Sequence, residues 1–457
     1  MASTYLTRTP GTTGSQATGT YAFWVKRGAW SAFHTIFSST LDTSNYFQID
    51  FTDADAFQVS AKDGGSYILQ KVTTRRFVDT AAWYHVTVTI DTTEGAAEDR
   101  CKIYFNGEKE TSFSTNTNLG TENVKMANST YEQNIGRNNA SSGFLDGALC
   151  HYHFIDGTAY DPTAFGAVDA TSGIFCGESS PSVTYGTQGQ FMKFESGSFG
   201  TDSSGNGNNM TVGAGTMTRT KDNPDNNFLV LNPLDNFYPQ YTFGYGNTRL
   251  NKTVAGPETF ITHSVPLYTG KWYWETKITE DGSNMNMQLG VADRVPQGPS
   301  GAGYEAGQYL GFRQYTYGYY GADGAIYDGN GASSSAYGNS YAEGDVIGTY
   351  LDLDNSKLYF AINGTIQNSG TGISIQAVAN TQNGFYLAAT GTNSGATETK
   401  TWDHNFGNGY FGETIIADAV ADAGGEGLFK YNPSTGTFDG SSKDFRAVCT
   451  VNIATYG

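Results

Sequence analysis

Along the first 160 positions, apolar and aromatic residues come in short runs that alternate with polar ones and are broken by turn formers. The clearest runs are Thr20 to Lys26 (Thr-Tyr-Ala-Phe-Trp-Val-Lys), His34 to Phe37, Tyr46 to Phe51, Ala56 to Ala61, Trp83 to Asp91, Cys101 to Phe105 and Leu145 to Ile155. Their β-branched and aromatic content predicts strands. Asn106-Gly107, directly after one run, is a hairpin turn pair. No window here has a helical period, so the pattern predicts a sandwich or barrel.

The stretch 157–225 is looser and contains the turn-rich run Asp202 to Asn209. Asn223-Pro224 and Asn232-Pro233 then mark a boundary. We read two domains, 1–225 and 226–457. The second strand series comprises Lys271 to Ile278, Gln288 to Ala292, Tyr309 to Phe312, Asp345 to Leu353, Lys357 to Ile362 and Gly384 to Ala389. Only 414–422 reads as a short helix. The fold class is all-β, two antiparallel sandwiches in tandem.

Composition supports this pattern. The chain of 457 residues has 58 Gly, 30 Tyr and 28 Phe but only 15% charged residues. Such abundance of turn formers and aromatics suits strands and loops and argues against disorder. Net charge is −18, and both halves are acidic. No basic stripe exists for a phosphate backbone, so nucleic acid is not an expected partner. No apolar stretch approaches the roughly 20 residues of a membrane span, and no signal peptide is evident, so membrane insertion is not expected. Cys101, Cys150, Cys176 and Cys449 are widely spaced and read as free thiols.

Several segments resemble known families. Phe23-Trp-Val-Lys26, Trp83-Tyr-His-Val86, Ile103-Tyr-Phe-Asn-Gly107 and Phe144-Leu-Asp-Gly147 with Phe154 resemble the concanavalin A-like, laminin-G-like jelly roll over residues 1–165. In that family Asp-Ser-Ser-Gly-Asn-Gly-Asn often lies near the start of the domain; here it stands at 202–208. The displacement implies that residues 189–220 supply the edge strand of the first sandwich. Gly270 to Ile278, Leu289 to Ala292, Gly344 to Asp354, Lys357 to Gly364 and Asn405-Phe-Gly407 resemble a SPRY domain. Together with Asn227 to Leu234, the combination resembles virion fibre and appendage proteins of tailed bacteriophages.

Candidate chemistry is sparse. Jelly-roll glucanases carry Glu-x-Asp-x-x-Glu or Glu-x-Asp-x-Glu on one strand, and neither string occurs. The resemblance to SPRY domains implies that Glu275 is a framework residue, and the chain is not expected to be an enzyme. His151-Tyr-His153 would put two rings on one strand face, but no third metal ligand is evident, and packing is the favoured reading. No cofactor is certain. Ca2+ is the ion that acidic loops would take, with Asp53, Asp55 and Asp63 as ligands and Asp352 and Asp354 as a second set. Tyr315, Tyr317 and Tyr319 alternate within a tyrosine-rich stretch from 304 to 341. If extended they share a face, which would suit stacking against a sugar or a subunit contact. They are the expected ligand-binding residues. The Asn-x-Ser/Thr strings at Asn128, Asn251 and Asn363 carry no weight without secretion.

The bacteriophage resemblance implies a virion protein made in the host cytoplasm. The role expected from it is a short tail fibre or surface appendage presenting lectin-like modules. Its expected partners are other virion proteins, a host cell-surface glycan and further copies of the chain in a homotrimer. The alternatives are a capsid-bound fibre or decoration protein, or a cellular protein-interaction module.

Overall fold

Tyr21, Phe23 and Val25 point one way along the strand Thr18–Arg27 and enter a shared core. Such alternation is what buries one face of a sheet. The computed structural model describes residues 4–121, 124, 129–138, 142–195, 198–236, 241–256, 258–294, 309–329, 331, 333–393, 398–440 and 442–457. The chain divides into two compact units, Met1–Arg219 and Thr220–Gly457, and it is nearly all β.

The first unit pairs an eight-stranded sheet with a six-stranded one. The larger sheet runs Phe113–Thr117, Ser66–Arg76, Ala56–Asp63, Asn45–Phe51, His34–Asp42, Glu132–Ile135, Tyr5–Arg8 and Thr211–Ala214 in spatial order. The smaller runs Gln190–Met192, Gly147–Asp156, Thr18–Arg27, Trp83–Asp91, Cys101–Phe105 and Glu108–Lys109. Phe47, Ile49, Phe57 and Val59 from one sheet meet Phe23, Val86 and Val88 from the other in a fully buried core. Each such side chain gains roughly 1.5–3 kcal/mol on leaving water. The late segment closes an edge of each sheet, as its sequence implied. Gln190–Met192 pairs with Gly147–Asp156, and Thr211–Ala214 pairs with Tyr5–Arg8.

The second unit has a nine-stranded and a six-stranded sheet. Lys271–Glu280 lies centrally in the larger, between Lys400–Asn405 and Val346–Asp352. Trp272 and Trp274 face the main core. Tyr273 points to the other face, in register with Tyr350 and then Tyr359. That face is covered too, by Phe228, Phe429, Phe438 and Phe445. The strand buries both faces there, which is why the consecutive aromatics Trp272, Tyr273 and Trp274 can stand side by side in it.

Two sequence expectations change. Tyr309 to Phe312 forms a turn rather than a strand. The segment 414–422 holds two short strands, Thr414–Ile415 and Val420–Ala421, each in a two-stranded pairing. The α-helix among the described residues lies instead at Thr450–Tyr456.

Candidate functional site

Thr316–Tyr320 lies between Met287–Ala292 and Ala325–Tyr327, with Tyr317 opposite Val291 and Tyr319 opposite Leu289. Tyr317 and Tyr319 do share a face, but it is the core face. The Tyr317 hydroxyl accepts from the Gln376 amide at 2.9 Å. Tyr319 is fully buried and stacks on Phe360 with ring centroids 4.8 Å apart. Tyr315 sits in the preceding turn with φ 66°, half-buried. The expected exposed tyrosine face is therefore corrected: two of the three rings fill the sandwich and cannot meet a ligand. On the opposite side of the same strand stands Tyr320, whose ring packs edge-on against Tyr327 at 5.7 Å. Tyr304, at the start of the stretch, and Asn128 lie outside the described residues.

The acidic candidates do not form a cation site. Asp53 and Asp55 precede the strand Ala56–Asp63, and Asp63 ends it. Eight residues of strand separate the two ends by about 23 Å. Asp55 is buried, and both oxygens are engaged. One accepts from Arg27 at 3.1 Å and from the Ser31 amide at 2.7 Å; the other accepts from Arg76 at 3.1 Å. Two guanidinium groups make this an anion's environment rather than a Ca2+ site. Asp352 accepts from the backbone and side chain of Asn355, and Asp354 from Gly270 and Thr269. These two carboxylates fix turns. Among the described residues no three His, Cys, Asp or Glu side chains converge as a metal site would require.

His151 and His153 are split by a bulge between Cys150 and His153, with His151 at φ 46°. The His153 ring lies within 2.9 Å of the Tyr185 hydroxyl and stacks on Phe191 at 4.1 Å. Glu275 lies buried between the Asn405 amide, the Tyr273 hydroxyl and the backbone amides of Lys430 and Tyr431. Burial raises its carboxyl to about 7 against the pull of those donors. It ties the C-terminal segment to the sheet.

A shallow, open concavity lies in the second domain. A groove of about 470 Å³ runs between residues 336–339 and 365–369. These are the margins of the two sheets: Ser334–Ala336 ends the six-stranded one, and Thr365–Ile366 ends the main path of the other. Gln367 bridges the walls, accepting from the Asn339 amide at 3.1 Å and donating to the Thr365 carbonyl at 2.8 Å. Tyr337 accepts from the Phe360 amide at 3.2 Å. Ser334, Ser335 and Ala336 are exposed, small and uncharged. Asn368 and Ser369 are exposed and adopt left-handed backbone, φ 50° and 53°. Consecutive non-glycine residues in that region cost conformational energy, and such strain gathers where a chain is shaped for a ligand. Sequence reading missed this groove because Ser, Ala, Asn and Thr carry no motif; the one signal was its place within the loop-rich, tyrosine-rich half of the domain.

Comparison with known proteins agrees with the two folds. Residues 2–160 match the concanavalin A-like lectin/glucanases superfamily, and residues 271–399 match the SPRY domain. The chain thus carries a concanavalin A-like domain followed by a SPRY domain. Ran-binding proteins 9 and 10 of Danio rerio are each 31% identical over 103 residues, covering 22% of this chain and 16% of theirs. Ran-binding protein 9 of Homo sapiens is 31% identical over 103 residues, 22% of this chain and 13% of its own. The chain therefore spans about one sixth or less of those relatives' length. A solved human SPRY domain is 19% identical, covering 36% of this chain and 94% of its own, with a TM-score of 0.26. The TRIM65 PSpry domain is 14% identical, covering 39% and 91%, with a TM-score of 0.28. The virion location expected from the sequence is corrected by the curated relatives. They are Ran-binding proteins of animals, cellular proteins that point away from a virus particle.

Proposed function

We propose that the chain is a protein-interaction module, a binding protein rather than an enzyme, whose SPRY domain takes an extended segment of a partner protein along the groove at 336–339 and 365–369. The observation that carries this reading is the meeting of two sheet margins at one concavity. A sheet edge offers backbone donors and acceptors to an incoming strand. Ser334–Ala336 has no proline and no charge to discourage such pairing, and the wall opposite presents Thr365, Asn368 and Ser369. Backbone pairing would supply affinity, and the polar wall would select side chains.

Panning the full chain against a random peptide library tests this. Enriched peptides should lose binding to Ser369→Trp, which fills the groove, and to Ser335→Pro, which blocks the edge. Undiminished binding to both variants would refute the site. The relatives' names make Ran the first whole protein to try in the same assay.

A further inference from the structure

The turn between Lys271–Glu280 and Met287–Ala292 crosses from one sheet of the second domain to the other. Gly282, at φ 69°, lets this turn lie close against Glu398 and Thr399; a Cβ there would meet the Thr399 carbonyl at 3.0 Å. Four polar side chains gather at this contact. Asn284 and Asn286 come from the turn, and Glu398 and Lys400 come from the stretch it lies against.

Lys400 begins the strand Lys400–Asn405 and is fully buried. Its Nζ donates to the backbone carbonyls of Asp281 at 2.8 Å and Asn284 at 2.6 Å. It also lies 3.0 Å from Glu398 Oε2. That oxygen is buried and makes no hydrogen bond of its own. The other oxygen of Glu398 accepts from Asn284 Nδ2 at 2.5 Å. One carboxyl group therefore stands between an amine and a carboxamide. Asn286 Nδ2 donates to Asn284 Oδ1, and the Tyr320 hydroxyl holds Asn286 by donating to its Oδ1. Lys252, the register partner of Lys400, is fully buried as well. Two buried amines thus share this neighbourhood, and like charges so placed repel.

We propose that the folded chain joins Lys400 to Asn284 through an amide bond between their side chains, with Glu398 carrying the proton. One proton of the Lys400 ammonium passes to Glu398 and frees the nitrogen lone pair. Nζ then attacks Asn284 Cγ. Negative charge grows on Asn284 Oδ1, the atom to which Asn286 already donates. Glu398 hands its proton to Nδ2, the Cγ–Nδ2 bond breaks, and the Nζ–Cγ bond remains. The departing ammonia takes up the second proton shed by Nζ and leaves as ammonium. Asn284 is exposed, which gives the leaving group a way out. Glu398 ends as it began, and nothing is oxidised or reduced. An amide is a poor electrophile, but the fold holds amine and carboxamide against one carboxylate for the life of the protein, which makes the reaction intramolecular. The bond ties the crossing turn to the strand Lys400–Asn405. It forms once per chain and is independent of the groove at 336–339 and 365–369.

Intact-mass spectrometry of the purified full chain, unfolded in acid after incubation at neutral pH, tests this. The parent should weigh about 17 Da less than its sequence, the mass of one ammonia. Trypsin should leave the bond after Lys400 uncut and release one branched peptide in which Lys400 is joined to Asn284. Glu398→Gln and Asn284→Ala should each show the full mass of its own sequence. Asn284→Ala alters an exposed side chain, so it keeps the test open if Glu398→Gln does not fold. A parent chain at its full sequence mass, or the same deficit in Asn284→Ala, would overturn the proposal.

Discussion

At the scale of single residues, the chain keeps several ionisable groups where water cannot reach them. Burial lowers His34 to about 4, His85 and His404 to about 3, and His153 and His263 well below the usual value. The folded protein holds these rings neutral, whereas the unfolded chain protonates them below about 6.5. Their contribution is therefore present above that pH and is lost as pH falls through the window down to 3–4. Asp50, Asp235 and Glu275 act oppositely: burial raises each to about 7. Their contribution is present below about 4 and fades as pH rises towards 7. Five histidines outweigh three carboxyls, so stability should fall on acidification from about 6.5 to 4.5. His85→Phe should make that slope shallower by about 1.4 kcal/mol per pH unit, measured by urea denaturation. The Arg27–Asp55 pair gives a second prediction. Both side chains are fully buried, so Asp55→Asn should cost about 3–5 kcal/mol by stranding a charge. Calcium should not restore it. The alternation of Tyr317 and Tyr319 was legible in the sequence, but the side that faced the core was not. A period of two says which side chains share a face and leaves open where that face points.

Among elements, most strands could be read because their inward residues are aromatic or β-branched, as in Tyr46 to Phe51 and Trp83 to Asp91. Ser66–Arg76 was missed because Lys71 takes an inward position; it is buried and donates to Asn116 at 2.8 Å. The helix was misplaced because 414–422 has helix formers but pairs as two short strands, whereas Thr450–Tyr456 is too short to show a period. Closure by residues 189–220 was legible from the displaced Asp-Ser-Ser-Gly-Asn-Gly-Asn string. That loop is held by Asp202, which accepts from Phe191, Ser204 and Asn208 amides. A chain ending at residue 175 would leave Tyr5–Arg8 and Gly147–Asp156 as open edges and remove Met192 and Met210 from the core. It should be insoluble on expression, and a chain ending at 225 should be soluble. Equal solubility would mean that the late strands do not close the sheets.

For the whole molecule, a concanavalin A-like domain and a SPRY domain in one acidic chain describe a protein built to bind. The groove that carries this reading was invisible in the sequence, because its walls come from residues 336–339 and 365–369, separate stretches of chain that only the fold brings together. Hydrogen–deuterium exchange of the full chain with a panned peptide tests the claim most directly. Protection should appear at 334–339 and 365–369 and fade with Ser369→Trp. Tight peptide binding with protection confined to other segments would contradict the account.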